Sequence, residues 1–231
     1  MFPWFNWNGE DSREKGIFVK QLPPITRAKR RVKRVKIPGR PGDVTVTEGE
    51  EIYEAYVREC VIQVDADRDY TDLLAWLRGA GTVIFSNEPE RVYTASIDDE
   101  VVFERASNSL HQAVIPFYCQ PLKAQYPPEA DVEITEDSTI TNPGDVYSKP
   151  IVTITGTGAA SVEIGAYKIE FNDLPGVIEI DCDAEIITVI EDGGTDWDWV
   201  WEGDYFRIMP GTNEVKVEGC EITIKPRWKW V

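Results

Sequence analysis

The chain has 231 residues, 42% of them apolar, and a formal net charge of −17 at pH 7. That apolar share is enough for real cores, which excludes a disordered polyelectrolyte despite the charge. No apolar run approaches the roughly 20 residues of a membrane span. The opening MFPWFNWNGEDSREKG also lacks the basic-then-apolar order of a secretory signal, so a soluble protein without secretion or membrane insertion is expected.

The first conspicuous segment is TRAKRRVKRVKIPGR, residues 26–40, in which eight of fifteen residues are Lys or Arg and none is acidic. Read as a strand, Arg27, Lys29, Arg31 and Lys33 share one face with Val35 and Ile37. Ala28, Arg30, Val32, Arg34 and Lys36 share the other. Neither face is apolar at its start, so the segment is expected to project beyond its own core. Three uses fit: a comb for nucleic-acid phosphates, a nuclear address, or a charged arm meeting an acidic surface on a neighbouring chain. No recognised nucleic-acid motif accompanies the run.

Downstream, Tyr56–Val64 alternates as a strand with one buried face. DYTDLLAWLRGAG carries the one convincing helix, Asp72–Arg78. Asp69 or Thr71 can cap it, Gly79 can stop it, and Leu73, Trp76 and Leu77 fall on one side. A strand follows at Thr82–Ser86. The paired prolines of QYPPEADVEITE (125–136) mark the boundary between a domain at 1–128 and a second at 129–231. The first span has a net charge of −2 and the second of −15, which supports two domains in different surroundings.

The second half reads as more strands: Ile151–Thr155, Val177–Ile180, Glu185–Ile190 and Glu221–Ile224, separated by Pro-Gly and Gly-Gly turns. The Gly-rich GTGAASVEIG (156–165) lies between strands rather than before a helix, so a structural turn is expected there and no phosphate site. Asp181, Asp183 and Glu185 would share a strand face, as a Ca²⁺ site, an acid/base pair or a solvated acidic strand. Trp197, Trp199 and Trp201, two residues apart, would also share a face. That row could be a sandwich interior, a protein interface or a sugar-stacking platform. The C-terminal KPRWKWV either closes the second domain or packs on the first.

The inventory for catalysis is poor. His111 is the only histidine, and no GxSxG, GxxxxGK[ST] or HExxH motif occurs, so no enzyme and no cofactor is expected. Cys60, Cys119, Cys182 and Cys220 stand far apart without metal-ligand spacing and read as buried reduced thiols. The residues alone therefore give a mainly β, two-domain binding or structural protein.

Several stretches in order resemble the distal tail proteins of long-tailed phages. They are FNWNGEDSREKGIFV, IPGRPGDVTVTEGEEIYEAY, LLAWLRGAGTVIFSNEPERVYTASI and IPFYCQPLK in the first half, then TNPGDVYSKPIVTITGTG and GDYFRIMPGTNEVKVEG in the second. The resemblance implies an N-terminal β-sandwich with one short helix and a C-terminal galectin-like β-sandwich. It implies a structural role: a hexameric ring of identical subunits at the virion tail tip, assembled in the host cytoplasm. Partners would be the tail tube protein, the tail-associated fibre or lysin protein, and receptor-binding or baseplate proteins. Residues 129–231 hold no histidine and only Arg207 and Arg227 as arginines, which argues against a galectin-type sugar site. On this reading Arg27, Lys29, Arg30, Arg31, Lys33, Arg34 and Lys36 are candidates for the subunit boundary or the ring lumen, with at most transient DNA contact. The competing readings are a carbohydrate-binding adhesin using the Trp row and a nucleic-acid-binding protein using the basic run.

Overall fold

The computed structural model describes residues 2–47, 49, 51–192 and 201–231. The protein is mainly β with one short helix. Two compact units divide it: Met1–Tyr126 with Val231, and Pro127–Trp230.

The first unit contains β1 (Phe5–Trp7), β2 (Glu10–Asp11), β3 (Phe18–Gln21), β4 (Val32–Lys36), β5 (Asp43–Thr47) and β6 (Tyr56–Asp65). It continues with α1 (Thr71–Trp76), β7 (Gly79–Phe85), β8 (Arg91–Ile97), β9 (Glu104–Arg105) and β10 (Leu110–Gln125). The strands join in the order β2-β1-β7-β8-β10-β6-β3, with β9 alongside β10. Alternation explains the buried side. Cys60, Ile62 and Val64 of β6 and Ala113, Ile115, Phe117 and Cys119 of β10 all turn inward. Phe117 sits within 5.6 Å, centroid to centroid, of Phe5, Trp7 and Phe85, so four rings from β1, β7 and β10 fill the centre.

Helix α1 lies on this core through Leu73, with Leu77 and Trp76 beside it, and Leu74 faces solvent. The helix starts one residue before and ends two residues before the span its periodicity suggests. Thr71 is its first residue rather than its cap, and the Asp69 carboxylate accepts the Thr71 N–H at 2.9 Å. The Trp76 carbonyl accepts the Trp7 indole N–H at 3.0 Å, fixing the helix end to β1.

The second unit holds β11 (Val132–Ile134), β12 (Ser138–Asn142), β13 (Ile151–Ile164), β14 (Tyr167–Asp181), β15 (Ile186–Asp192), β16 (Trp201–Gly203), β17 (Gly211–Lys225) and β18 (Lys229–Trp230). Three long strands serve both layers of a β-sandwich. β14 pairs at its end with β15 and near its start with β16, while β17 pairs at its end with β11 and at its start with β12. The strands bend at irregularities in the β13 register between Gly156 and Ser161. The Gly-rich stretch is therefore not a turn, as its composition suggested, but a bulged part of a continuous strand. Gly158 takes φ +81 there. Opposite it, Gly219 (φ +71) lets the β17 backbone approach so closely that a Cβ would lie 2.4 Å from the Ala159 carbonyl oxygen. The turn falls later, at Gly165-Ala166. Around this bend Ile154, Val162, Ile164, Ile169, Ile178 and Phe206 close the core, and Trp228 joins them.

Two asparagines build the turns around this core. Buried Asn142 donates to the carbonyls of Val146 (3.0 Å) and Ile208 (2.9 Å), and its own oxygen accepts the Gly144 N–H (2.8 Å). Asn213 does the same for Met209 and Gly211. Each satisfies backbone groups that the turn would otherwise strand in the core.

Candidate functional site

The basic run forms the first strand of a ribbon. β4 pairs antiparallel with β5, Val32 opposite Thr47 through Lys36 opposite Asp43, and among the described residues these two strands form a sheet of their own. Pairing continues toward the body, where Arg31 N donates to the Ile52 carbonyl and Glu54 N to the Lys29 carbonyl, each at 2.8 Å. At the far end Pro38 and Pro41 cannot donate to a ladder, and Gly39 and Gly42 at φ near +80 reverse the chain.

Register assigns the faces. Val32, Arg34 and Lys36 lie with Thr47, Thr45 and Asp43 on one side. Lys33 and Val35 lie with Val46 and Val44 on the other. Val35 is 39% exposed and Val46 48%, with Val44 half-buried, so among the described residues the second side is an apolar strip left partly open to solvent. Arg27, Lys29, Arg30, Arg31, Lys33, Arg34 and Lys36 are all exposed. Among the described residues only Lys29 of these seven is ion-paired, to Glu54 at 3.2 Å. A two-stranded ribbon without a covering layer is marginal by itself.

The ribbon root is held by a buried ionic cluster that the motif inventory does not reveal. Arg58, its side chain 1% exposed, donates to Glu88 at 3.1 Å and to the Pro24 carbonyl at 2.9 Å. Lys123 donates to the other Glu88 oxygen at 3.1 Å, and the Tyr93 hydroxyl also donates to Glu88. The Arg58 guanidinium lies over the rings of Tyr93 (4.5 Å) and Phe85 (4.9 Å). Asn87 donates to the Pro23 carbonyl at 2.9 Å. Pro23 and Pro24, where the chain leaves β3 for the ribbon, are thus fastened from β6 and from the β7–β8 turn. Burial pushes the Glu88 carboxyl up, but the hydrogen bonds from Tyr93, Lys123 and Arg58 outweigh it and hold the pKa below the ordinary value. Burial and the bond to Glu88 drive the Tyr93 phenol upward. The sequence did carry a signal: Arg58 shares the inward face of β6 with Cys60, Ile62 and Val64, and a charge there requires a buried partner.

The other candidates fare differently. Trp197 and Trp199 lie outside the described residues, and Trp201 is placed only as backbone at the start of β16. Asp181, Asp183 and Glu185 do not share a strand face as expected. β14 ends at Asp181 and the chain turns, with Glu185 at φ +57. Asp181 instead pairs bidentately with Arg227 (2.8 and 3.0 Å) and accepts the N–H groups of Asp183 and Ala184. The Arg227 hydrogen bonds chiefly hold the Asp181 carboxyl down at about 2. Lys149 lies 3.6 Å from Asp183 and 3.9 Å from Glu185. Among the described residues no cluster of three or more His, Cys, Asp or Glu could hold a metal. His111 accepts or donates a hydrogen bond with the Tyr70 hydroxyl at 2.7 Å and stacks on that ring. All four cysteines are free thiols, three of them buried.

No family model matches the sequence, and no curated protein matches it. Among solved structures the fold is similar to the crystal structure of the Dit protein of phage SPP1, described as a paradigm of the hub adsorption apparatus in phages infecting Gram-positive hosts. The TM-score is 0.77 at 17% identity, and the likeness covers 100% of both chains. A likeness of that extent at that identity is one of fold.

Proposed function

We propose that this chain is a structural hub protein of a phage tail tip, a ring-forming subunit of the distal tail type. The observation that carries the reading is the two-unit fold shared end to end with the SPP1 Dit protein, a hub protein. The exposed ribbon supports it, because a marginal ribbon with an apolar strip and six basic side chains unpaired among the described residues is built to be covered by another surface. In this role six copies close a ring through heterologous contacts, each copy using one surface to hold the next. The first unit forms the ring that continues the tail tube and meets the tail-associated protein. The second unit, a galectin-like β-sandwich, serves as the docking platform for receptor-binding or baseplate proteins. The work is assembly in the host cytoplasm and attachment at the virion tail tip, without turnover.

The test is light scattering on a sizing column across protein concentration, with the leading fraction imaged by negative stain. A closed six-membered ring is the expected product. A chain that stays monomeric at every concentration counts against self-assembly. DNA binding that strengthens steeply as salt falls, without any ring, would move the basic ribbon to nucleic-acid recognition instead.

A further inference from the structure

The second unit carries a cleft of about 500 Å³, a volume typical of small-molecule sites. Its walls come from Tyr167 at the start of β14, from Asp204, Tyr205 and Arg207 after β16, from Lys149, and from Glu185 in the turn that follows β14. Buried Cys182 and Phe206 also line it.

The fold holds these walls in place. The Asp181 carboxylate, clamped by Arg227, accepts the N–H groups of Asp183 and Ala184 and so fixes the turn. At the end of that turn Glu185 keeps φ +57, which non-glycine residues rarely adopt, and its carbonyl accepts the Tyr205 hydroxyl at 2.7 Å. The Arg207 guanidinium is steadied over the Tyr147 ring, 5.1 Å from its centroid. Lys149 Nζ lies 3.6 Å from Asp183 and 3.9 Å from Glu185, near enough for attraction but too far for hydrogen bonds, so its donors are oriented and not consumed there. Among the described residues Asp204 and Arg207 form no ion pair.

We infer that this cleft binds a neutral hexopyranose unit of a saccharide. The mixed lining decides the class of ligand. An anion would gain Lys149 and Arg207 but face Glu185 and Asp204, in a half of the chain that carries −15. A metal ion would face the two cations, and among the described residues no cluster of three or more His, Cys, Asp or Glu could hold it. An apolar ligand would strip water from four charged groups and return nothing. A polyol avoids all three costs. Each sugar hydroxyl both donates and accepts, so the ring can donate to Glu185 and Asp204 while accepting from Lys149 and Arg207. The apolar C–H faces of the pyranose suit the half-buried rings of Tyr167 and Tyr205. A wall already ordered spares the ligand part of the entropic cost of binding. The site uses none of Trp197, Trp199 and Trp201, and it adds a ligand to the second unit without depending on the ring-forming role.

The test is saturation-transfer NMR on the full chain with glucose, galactose, mannose and N-acetylglucosamine, each at about 10 mM, a level suited to millimolar affinity. At least one sugar is expected to receive saturation, and its titration should shift the backbone amides of residues 183–185 and 203–207 before any others. Arg207→Leu and Asp204→Asn each remove a charged hydrogen-bonding group and are expected to weaken binding about tenfold or more. Should either variant lose its native circular dichroism, Lys149→Gln replaces it, and the amide shifts of the unaltered chain locate the site without any substitution. A trimer of the bound sugar that binds more tightly than the single unit identifies a polysaccharide as the source, whereas equal affinity identifies a free or terminal sugar. The inference is overturned if none of the four sugars binds, or if the shifted amides lie elsewhere. It is also overturned if binding survives Arg207→Leu and Asp204→Asn but is lost in Trp199→Ala, which would assign the sugar to the tryptophan row. Ring formation is read separately by light scattering, so either reading can fail without the other.

Discussion

Replacing Glu88 with Gln keeps the size and the acceptor oxygen of the side chain but removes the anion that pairs with both Arg58 and Lys123. Those two side chains are 1% and 8% exposed, so neither can turn to water for its lost partner. Removing one member of a buried ion pair typically costs about 3–5 kcal/mol, because an uncompensated charge stays in the interior. The rings of Tyr93 and Phe85 lie over Arg58 with or without Glu88, so they leave that difference unchanged. A loss of roughly 3–5 kcal/mol is therefore expected, a drop of about 15 °C in the melting temperature of a unit this size. The readout is hydrogen exchange by mass spectrometry in rising urea, followed separately on peptides from β6 and β10 and from β13 and β17. Glu88→Gln should lower protection in the first pair and leave the second unchanged. Peptides spanning 22–31 should open earliest, since Arg58 and Asn87 fasten Pro24 and Pro23. A loss below about 1 kcal/mol, or equal loss in both units, would refute the view that this cluster holds the first unit and the ribbon root together.

Two further outcomes follow from the ionisation states. The Asp181 carboxyl is held at about 2, below its unfolded value, so its contribution is present above about pH 4 and is lost as pH falls toward 2. Allowing for its partial exposure, the second unit should lose roughly 1–2 kcal/mol across that window, and Asp181→Asn should abolish the loss, as acid titration of its urea unfolding would show. Burial pushes the thiols of Cys60, Cys119 and Cys182 up to about 12. They should therefore resist alkylation by iodoacetamide at pH 8 until denaturant is added, with Cys220 reacting first; rapid native labelling of Cys60 would contradict its placement in the core.

Much of the fold could be read because local signals and tertiary demand agree. The alternation in Tyr56–Val64 becomes β6 almost to the residue, and the three-and-four spacing of Leu73, Trp76 and Leu77 becomes the core side of α1. Reading failed where long-range pairing overrode local chemistry. Gly156 and Gly158 look like a turn in isolation, but strands on both sides keep β13 extended through them and turn their freedom into a bulge. Asp181–Glu185 alternates like a strand, yet the ladder ends at Asp181 because Arg227, 46 residues later, captures that carboxylate. The basic run could be recognised as an arm because neither face is apolar at its start, but its partner β5 could not. DVTVT shows ordinary strand alternation, and only the Pro-Gly pairs between the strands hint that they form a hairpin. The ionic cluster was the deepest omission. Its members sit at 58, 88, 93 and 123, and no short window of sequence holds more than two of them.

The charge of the chain then poses a physical question: copies carrying −17 each should repel, and a basic ribbon is a small correction to that sum. The sum is the wrong quantity. At physiological ionic strength the screening length is about 8 Å, so a charge further away than that contributes little to a contact. Most of the excess lies in residues 129–231, at −15, while residues 1–128 come to −2. Within that near-neutral first unit the charges are sorted rather than mixed. Positive side chains crowd residues 27–40, and carboxylates crowd 98–104 beside Glu59. Sorting of this kind does little for a monomer, whose exposed ion pairs are worth little and in which, among the described residues, only Lys29 of the basic patch is paired, to Glu54. It gains value only when a positive patch meets a negative one on another molecule, where complementarity steers encounter and fixes register. The acidic second unit meanwhile discourages indiscriminate association, because any approach that brings those units within a screening length is penalised. An overall acidic protein with a locally basic ribbon on its near-neutral first unit thus carries a charge pattern suited to meeting an oppositely charged surface in a defined register.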